Sequence, residues 1–381
     1  MEIWMINLLG VFVLSMFLSA FLIPKILLIA STMKLYDGHN ERKIHQGEVP
    51  RLGGLSFIPV IAFSVVLVIG INLVAGRASA INYIAVNSME MCFQFCGLVL
   101  LFLVGIADDL MGVRYVVKFF AQMLSGILLV VGGVWINSLH GLIGVYEMPV
   151  WIGYALTVLI VVFFSNAINL IDGVDGLASG LSALAAALYC IAFIERENYM
   201  YAAIALALLG VLIPFFIYNV FGKASRGNKI FMGDTGALTI GFLLTILSVK
   251  LFATAGPSHS AAVKSFTVAF APMFIPCFDV LRVFFRRIRN HKSPFLPDLT
   301  HIHHKLLAIG FSSRMTMVFL IGLSLLITVV NVLVSSLMNV TVLLLSNLGL
   351  WTLFNVWITW LIRRKGDARS PFFDKKDANN S

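Results

Sequence analysis

Apolar segments long enough to cross a lipid bilayer recur along nearly the whole of this chain. Of its 381 residues, 60% are hydrophobic and 12% are charged, and typical soluble domains carry about twice that charged fraction. A transmembrane helix needs roughly 20 mostly apolar residues. Hydropathy and polar punctuation predict about eleven such helices, near residues 4–30, 53–74, 91–107, 117–135, 150–166, 177–194, 200–218, 236–254, 264–284, 315–337 and 341–362. The sequence therefore predicts an all-α polytopic integral membrane protein and excludes an ordinary soluble enzyme.

Basic residues concentrate on one side of this predicted bundle. An odd number of helices places the two termini on opposite sides of the membrane. If the C-terminus is cytoplasmic, the 27 Lys and Arg residues all lie in inner segments except Arg77, Arg196, Lys250 and Lys264 in outer loops and Lys25 in the first helix. Since inner loops are rich in Lys and Arg, we expect an outer N-terminus and a cytoplasmic C-terminus. The net charge of +9 then reflects topology and anionic lipid, and nucleic acid is not needed to explain it.

The predicted bundle forms a single domain. We expect a transmembrane catalytic domain over residues 1–362 and a basic, disordered cytoplasmic tail over residues 363–381. No segment between the helices is long enough for a soluble domain of ordinary size. The cysteines fall in or beside predicted helices, so we expect them to pack as small apolar residues rather than form disulfides or a zinc site; they are Cys92, Cys96, Cys190 and Cys277.

Carboxylates differ between the two sides. The outer loops hold four glutamates that show no clustering with Gly, Asn or His, and we expect these to be solvated charges: Glu90, Glu147, Glu195 and Glu197. The predicted cytoplasmic ends of the helices hold the unusual aspartates: Asp108, Asp109, Asp172, Asp175, Asp234 and Asp298. This sorting predicts an active site built from cytoplasmic loops.

The adjacent residues Asp108 and Asp109 follow the third predicted helix. Like charges side by side are costly unless a cation or a proton relieves them, so the pair suits a divalent metal or a substrate cation. An aspartate pair that ends a helix in water is the alternative. Lys118 could present a cation to the same ligand together with Gln122 one turn later, or it could snorkel to the interface. Both alternatives remain open at this point.

A polar break interrupts the apolar run after the fifth predicted helix. Asn166, Asn169, Asp172 and Asp175 recur every three residues, so successive members are neighbours on a helix or on its unwinding end. A charged residue in lipid costs at least about 2.5 kcal/mol, which indicates a wet, functional cavity. Hard carboxylate and amide oxygens suit Mg²⁺ or the hydroxyl groups of a sugar nucleotide.

Asp234 lies in the segment Phe-Met-Gly-Asp-Thr-Gly, near the start of the following predicted helix. An aspartate there can simply cap the helix. Alternatively, it holds a metal ion that bridges to phosphate. The glycines on both sides favour the metal, because a plain cap requires neither of them.

The largest inner loop combines arginines and histidines. Arg286 and Arg287 lie in a basic run of the kind that diphosphate binding requires, and His301, His303 and His304 follow two prolines on what we expect to be a structured loop. A zinc site built on the three histidines is the rival interpretation, although the basic surroundings oppose a second cation.

The first inner loop is also basic and contains Lys43, His45 and Arg51 before Gly53 and Gly54. Glycines and a proline in this loop predict a turn ahead of the second helix. A basic loop beside a membrane is common, so this motif alone is weak.

Together these motifs resemble those of the polyprenyl-phosphate N-acetylhexosamine-1-phosphate transferase family, in the same order along nearly the whole chain. The matching pieces are Arg-Lys-Ile-His with Pro-Arg-Leu-Gly-Gly, the Asp-Asp pair, Asn-x-x-Asn-x-x-Asp-Gly-x-Asp-Gly-Leu-Ala, Phe-Met-Gly-Asp-x-Gly and Ser-Pro-Phe followed by His-x-His-His. The eleven-helix topology and the sequence His-Ile-His-His-Lys-Leu are similar to the branch that uses UDP-N-acetylglucosamine. Ala237 departs from the pattern, since many relatives carry serine there.

The resemblance implies a reaction at the bacterial inner membrane, with the active site facing the cytoplasm. The phosphate of undecaprenyl phosphate attacks the β-phosphorus of a UDP-N-acetylhexosamine, and N-acetylglucosamine is the expected sugar. UMP leaves, and the lipid-linked diphosphate sugar starts synthesis of a cell-envelope polysaccharide such as O-antigen or teichoic acid. The implied cofactor is Mg²⁺, with Mn²⁺ as a substitute. The oligomeric state stays open, with a homodimer as one option.

The resemblance also implies roles for individual residues. The catalytic set is Asp108, Asp109, Asp172, Asp175, His303 and His304. The metal-binding set is Asp234 and Asp172. The substrate-binding set is Lys43, His45, Arg51, Lys118, Asn166, Asn169, Asn219, Phe231, Arg286, Arg287 and His301. Within these sets, Asp108 or Asp109 would deprotonate or orient the lipid phosphate, and Asn219 and Phe231 would hold uracil.

Three other classes of protein share parts of this pattern. A secondary transporter places polar helix breaks near the membrane midplane, whereas the predicted breaks lie at helix ends on one side. A CDP-alcohol phosphotransferase also carries Asp-Gly-x-Asp-Gly, but the residues after Asp172 do not match the rest of its motif. A zinc hydrolase would depend on zinc and not on Mg²⁺, and we expect the reverse.

Overall fold

The computed structural model describes residues 2–35, 49–255, 259–293 and 300–364 of the chain. Its helices are α1 (Glu2–Thr32), α2 (Phe57–Val74), α3 (Ala78–Met111), α4 (Tyr115–Val131), α5 (Val150–Ile171), α6 (Leu177–Glu195), α7 (Tyr199–Phe221), α8 (Gly233–Ala253), α9 (His259–Phe270), α10 (Phe274–Arg289), α11 (Ile302–Ala308), α12 (Ser313–Val334) and α13 (Val340–Arg364). Strands β1 (Ser138–Leu142) and β2 (Val145–Glu147) form one small antiparallel hairpin.

Within the described residues, ten helical segments are long and apolar enough to cross a membrane, with α9 and α10 counted as one. The remaining apolar helix, α4, has 17 residues. The prediction of an all-α polytopic membrane protein with about eleven helices is therefore confirmed. The orientation of the termini stays a prediction. Helix α13 extends two residues into the predicted tail, and the rest of that tail, residues 365–381, lies outside the described residues.

Two local features differ from the sequence-based expectation. Helix α3 begins at Ala78, well before the predicted start near residue 91, because polar residues such as Asn87 and Glu90 continue the helix where a loop was expected. The β1–β2 hairpin was not predicted. It lies between α4 and α5, next to the start of α13, where Thr341 accepts a hydrogen bond from the backbone of Ile143 at 2.7 Å.

Helix α8 lies at the centre of the bundle, and nearly all of its residues are buried. It packs against α3, α5 and α9. Glycine permits the close approach of two neighbours: a Cβ added at Gly105 of α3 would lie 2.4 Å from Cα of Thr235, and one added at Gly241 would lie 2.5 Å from Cα of Ser165 in α5. This tight packing determines where the ends of α3, α5 and α8 meet.

All four cysteines are free thiols. Cys190 and Cys277 are buried, as expected for packing residues. Cys92 and Cys96 are instead exposed on the surface of α3, so the prediction that all four pack internally was wrong for these two. A helix that faces lipid can expose apolar side chains freely, and the sequence alone does not distinguish the lipid-facing side of α3 from its packed side.

Candidate active site

The segment ahead of α2, residues 50–54, packs directly on the Phe-Met-Gly-Asp segment. The backbone amide of Gly53 donates to the carbonyl oxygen of Phe231 at 2.9 Å, and the amide of Phe231 donates to the carbonyl oxygen of Pro50 at 2.9 Å. These contacts bring Arg51 close enough to interact electrostatically with Asp172. Two motifs that are about 180 residues apart in the sequence therefore form one wall of a common site.

Asp109 caps the start of α8 from a different helix. Its Oδ1 accepts a hydrogen bond from the backbone amide of Asp234 at 2.7 Å. Its Oδ2 accepts from the backbone amide of Thr235 at 2.9 Å and from the Thr235 hydroxyl at 2.6 Å. An aspartate cap on α8 had been one interpretation of Asp234 itself. The structure assigns the cap to Asp109, so the carboxylate of Asp234 has other partners.

Those partners include a lysine that bridges two aspartates. Lys118 Nζ lies 2.8 Å from Asp108 Oδ2 and 3.2 Å from Asp234 Oδ2. Asn169 Nδ2 donates to the other oxygen of Asp234. The backbone amide of Val113 donates to Asp108 Oδ1 at 2.6 Å. Residues from α3, α4, α5 and α8 thus converge at one end of the bundle around a single ammonium group.

This arrangement suits a cation. Two carboxylates share the positive charge of Lys118, and carboxylate and amide oxygens are the ligand types that Mg²⁺ prefers. Among the described residues, no three His, Cys, Asp or Glu side chains are arranged to hold a metal ion. The joint assignment of Asp234 and Asp172 as metal ligands therefore stays a prediction, and the donor chemistry fits it.

Asp172 directly follows α5, at the point where the helix ends. Desolvation raises the pKa of Asp172 to about 8, and the negative charges of Asp175, Asp234 and Asp109 add to the shift, while Arg51 opposes it. A carboxyl group in this position holds its proton at neutral pH until a cation offsets the neighbouring charge. The cluster of aspartates that the sequence predicted is therefore close enough to interact in the folded chain.

Asp175 forms an ion pair that the sequence did not predict. Lys229 Nζ lies 2.5 Å from Asp175 Oδ2, and both side chains are largely buried. The same ammonium group lies 5.8 Å from the ring centroid of Phe231. Lys229 therefore links the loop after α5 to the segment before α8. Lys229 lies only two residues before Phe231, a predicted substrate-binding residue. This closeness was the signal in the sequence that could have identified Lys229 as part of the site.

Asn219, in α7, forms hydrogen bonds to both the loop after α5 and the segment before α8. Its Oδ1 accepts a hydrogen bond from the backbone amide of Gly176 at 2.6 Å, and its Nδ2 donates to the carbonyl oxygen of Ile230 at 2.8 Å. The side chain is buried. Gly176 adopts a φ of +78°, which favours glycine. The predicted contact of Asn219 with uracil stays a prediction, and its observed contacts shape the wall that holds Phe231.

Asn166 lies one turn before Asn169 and faces α4. Its Nδ2 donates to Gln122 Oε1 at 2.8 Å and to the carbonyl oxygen of Val162 at 2.7 Å. Gln122 is buried, and its Nε2 has no hydrogen-bond partner. A buried amide that lacks a partner is costly, so this amide is a candidate contact for a bound substrate.

His303 is buried beside the polar break, and neither of its ring nitrogens has a hydrogen-bond partner. A Cβ added at Gly173 would lie 2.3 Å from His303 Nε2, so only glycine fits this approach. The ring of His304 follows at 4.2 Å between centroids. Burial and the neighbouring His304 lower the pKa of His303 well below its usual value, and the ring is therefore neutral at physiological pH.

His301 has a buried carboxylate partner. Asp279, in α10, is fully buried, and its Oδ2 lies 2.8 Å from His301 Nδ1. Its Oδ1 lies 2.9 Å from a guanidinium nitrogen of Arg282 and accepts a hydrogen bond from the Ile302 amide at 3.0 Å. Asp279 was missed in the sequence, although a lone aspartate within a predicted transmembrane segment was a usable signal. It fixes the histidine segment to α10.

The other basic residues predicted for the site differ in their surroundings. Arg287 is buried, and one of its guanidinium nitrogens donates to the carbonyl oxygen of Ser293 at 2.7 Å. Arg286 is half-buried on the same helix, α10. Lys43 and His45 lie outside the described residues, so their predicted roles in substrate binding stay predictions.

Comparison with known proteins identifies the family. Residues 91–252 match the model of glycosyl transferase family 4. The chain is 32% identical over 322 residues to a Bacillus subtilis protein named "Probable undecaprenyl-phosphate N-acetylglucosaminyl 1-phosphate transferase", covering 84% of this chain and 83% of the relative. This chain belongs to glycosyl transferase family 4. Two further family members carry the name "Undecaprenyl-phosphate alpha-N-acetylglucosaminyl 1-phosphate transferase": one from Escherichia coli, 33% identical, and one from Yersinia pestis, 32% identical, each covering 77% of this chain and 74% of the relative.

Membership of glycosyl transferase family 4 confirms the resemblance inferred from the motifs and the prediction of a transferase enzyme. The region matched to the family spans both Asp108 and Asp234 and ends before His301. The central carboxylate site thus lies wholly within the part of the chain that defines the family.

Proposed function

We propose that this chain transfers N-acetylglucosamine 1-phosphate from UDP-N-acetylglucosamine to undecaprenyl phosphate and releases UMP. The named relatives support this proposal, since the chain aligns with 74% or more of their lengths. The observation that carries it is the meeting of Asp108, Lys118 and Asp234, from three helices, at one end of the bundle. Phosphoryl transfer depends mainly on charges held at fixed positions.

On the donor side, Phe231 would stack on uracil, with Asn219 supporting the segment that carries it. The ion pair of Lys229 with Asp175 borders the same ring. A nucleotide held there directs its diphosphate toward the aspartate cluster. Arg51, which interacts electrostatically with Asp172, would then contribute positive charge to the diphosphate.

Asp234 and Asp172 would hold Mg²⁺, with Mn²⁺ as a substitute, and the cation would neutralise charge on the diphosphate. The donor set fits because the Asp234 carboxylate already binds a cation, the ammonium group of Lys118, and the Asp172 carboxyl group is close enough to interact electrostatically with Asp234. Asn169 donates to Asp234 and would keep that carboxylate oriented. Asp172 has to release its proton before it can serve as a ligand.

On the acceptor side, Asp108 is better placed than Asp109 to contact the lipid phosphate. Both oxygens of Asp109 are bonded to the start of α8, whereas Asp108 is paired with the ammonium group of Lys118, which can also bind a phosphate. A phosphate monoester has a second pKa of about 6, so the acceptor oxygen is largely ionised and needs orientation more than deprotonation. An oxygen of the lipid phosphate forms a bond to the β-phosphorus. The bond from the β-phosphorus to the bridging oxygen breaks, and UMP leaves with that oxygen.

The histidines would steady the diphosphate as this charge moves. His303 is neutral and carries an N–H group without a partner, which makes it a donor available to a phosphate oxygen. His301 is held by Asp279 and would maintain the position of this segment. The arginines of α10 would add positive charge at its edge.

The bias of Lys and Arg toward the predicted inner loops supports a bacterial inner-membrane location with the site facing the cytoplasm. The lipid-linked product would then start synthesis of a cell-envelope polysaccharide. A long prenyl chain has to remain in the bilayer while its phosphate reaches Asp108, which agrees with a site formed at the ends of apolar helices.

A donor panel tests the proposal. Purified protein in nanodiscs is incubated with undecaprenyl phosphate, Mg²⁺ and radiolabelled UDP-N-acetylglucosamine, UDP-N-acetylgalactosamine or a CDP-linked alcohol. We expect labelled lipid and one equivalent of UMP from UDP-N-acetylglucosamine, and loss of both in Asp234→Asn. Labelled lipid from the CDP donor alone would overturn the proposal. Activity that needs zinc and ignores Mg²⁺ would overturn it as well.

A further inference from the structure

A second polar cluster lies between α3 and the end of α8 that is opposite the aspartate site. Lys250, near the end of α8, donates to both carboxylate oxygens of Glu90 in α3, at 2.8 and 2.7 Å. The side chain of Lys250 is 15% exposed and that of Glu90 is 12% exposed. The expectation that Glu90 is a solvated loop charge was therefore wrong: it forms a largely buried, bidentate ion pair.

Two neighbouring side chains, Tyr201 and Gln94, donate hydrogen bonds to the carboxylate of this ion pair. The hydroxyl of Tyr201 donates to Glu90 Oε1. Gln94 Nε2 donates to the Tyr201 hydroxyl at 2.7 Å and to Glu90 Oε1 at 3.2 Å. The ammonium group of Lys250 also lies 5.1 Å from the ring centroid of Tyr201. A buried ion pair often adds little net stability compared with apolar residues, and its best-attested role is to specify register.

The position of the pair links it to the active site. Helices α3 and α8 run antiparallel, since Glu90 meets Lys250 at one end and Asp109 meets Asp234 at the other. Asp108 follows Glu90 by 18 residues and Lys250 follows Asp234 by 16 residues, which correspond to about 27 and 24 Å of helix. The two helices are thus connected by hydrogen bonds at both ends of a contact that spans most of their shared length.

Between the two ends the helices make close contact. A Cβ added at Gly97 of α3 would lie 2.8 Å from a ring carbon of Phe242 in α8, and the close approach at Gly105 lies nearer the site. Glycine-lined helix contacts in a membrane are held by packing rather than by a hydrophobic driving force. Directional contacts are found at the two ends: the hydrogen bonds from the start of α8 to Asp109 at the site end and the Glu90–Lys250 pair at the other.

We propose that Glu90 and Lys250 are positioning residues for the active site. Together with the Asp109 cap on α8, they fix the axial register of α3 against α8, and through it the separation of Asp108 from Asp234. The kinetic part of this inference rests on the proposed function, and its structural part does not. Because a displacement of about 1 Å at a reacting centre can cost about a hundredfold in rate, we expect variants of the pair to lower kcat by about tenfold to a hundredfold, with little change in KM for the donor.

The decisive variant is the apolar pair Glu90→Met with Lys250→Met, since it removes the directional contact while keeping volume and burial. We expect its thermal stability to stay near that of the parent and its kcat to fall. The reversed pair, Glu90→Lys with Lys250→Glu, restores part of the rate. Glu195→Gln is the matched control, because the Glu195 to Lys264 pair is exposed and lies 3.2 Å apart; its rate stays unchanged.

A second measurement needs no activity. Spin labels at Met111→Cys and Thr254→Cys, in a version whose four native cysteines are replaced by alanine, report the distance from the end of α3 to the end of α8. We expect a narrow distribution in the parent and a broadened or shifted one in the apolar pair. An unchanged distribution overturns the inference even if the enzyme assay shows no turnover. If the parent is active and the apolar pair has the same kcat, the inference is overturned as well. If that pair does not fold, Glu90→Asp is assayed in the same way.

Discussion

Asp109 accepts a hydrogen bond from the backbone amide of Asp234 at 2.7 Å, so a carboxylate of α3 caps the start of α8. A capping carboxylate compensates the unpaired amides and the positive end of a helix. Its neighbour Asp108 is bonded instead to Lys118. Two adjacent aspartates of one motif thus have separate tasks: one holds the helix that carries Asp234, and the other lies beside the proposed acceptor position.

This division predicts different losses for the two aspartates. Asp109→Ala removes a cap, which costs about 0.5–2 kcal/mol in stability, so its unfolding temperature falls along with its rate. Asp108→Asn keeps the fold and loses at least about a hundredfold in kcat, because the removed charge acts on the reacting groups. The measurements are thermal unfolding of the purified protein by intrinsic fluorescence and the initial rate of UMP release. Equal unfolding shifts in the two variants would contradict the separation of roles.

The sequence predicted the residues of the site better than their contacts. It located Asp108, Asp109 and Asp234 because each breaks an apolar pattern at a predicted helix end. It left the roles of the two adjacent aspartates open, since the cap on α8 depends on how closely α3 packs against it at Gly105. That packing is a tertiary contact between segments more than 100 residues apart, and local spacing does not encode it.

The sequence analysis was incomplete or wrong for two carboxylates outside the motifs: Asp279 was missed, and Glu90 was expected to be a solvated loop charge. Asp279 lies inside an apolar segment, where a single charge needs a partner, and its pairing with His301 and Arg282 could have been suspected. Glu90 follows Asn87 and Ser88, and a polar run of this kind is typical of a loop. Only the structure reveals that Lys250 lies opposite it.

The raised pKa of Asp172 predicts that binding of a divalent cation releases a proton. Desolvation and the charge of Asp175 raise this pKa to about 8, so the carboxyl group is protonated below that pH and has to ionise to hold Mg²⁺. Apparent Mg²⁺ affinity should therefore increase as pH rises toward 8 and level off above it. Calorimetric titration with MgCl₂ at pH 7 in buffers of different ionisation enthalpy measures the proton release. Asp172→Asn is the control, and a heat that does not depend on the buffer in the parent would refute the prediction.

The contact between Gly173 and His303 predicts coupled effects. A Cβ at Gly173 would lie 2.3 Å from His303 Nε2, so Gly173→Ala displaces the ring from the place where it would meet the diphosphate. We expect Gly173→Ala to lower kcat by a large part of the loss seen in His303→Ala. The double variant should be no slower than His303→Ala alone, since residues in contact are not additive. A double-mutant cycle on kcat tests this, and fully additive losses would count against a shared role.

Lys229 provides the last test, because it distinguishes the donor side of the site from the acceptor side. Its ammonium group pairs with Asp175 and lies near the ring of Phe231. Lys229→Met leaves Asp175 without this counter-ion in a largely buried position, which is costly. We expect KM for the UDP-sugar to rise by at least about tenfold, with KM for the lipid acceptor changed much less. Lys223→Met in the same loop is the matched control, since Lys223 is exposed. Initial rates over a grid of both substrate concentrations separate the two constants, and an equal rise in both would place Lys229 outside the donor pocket.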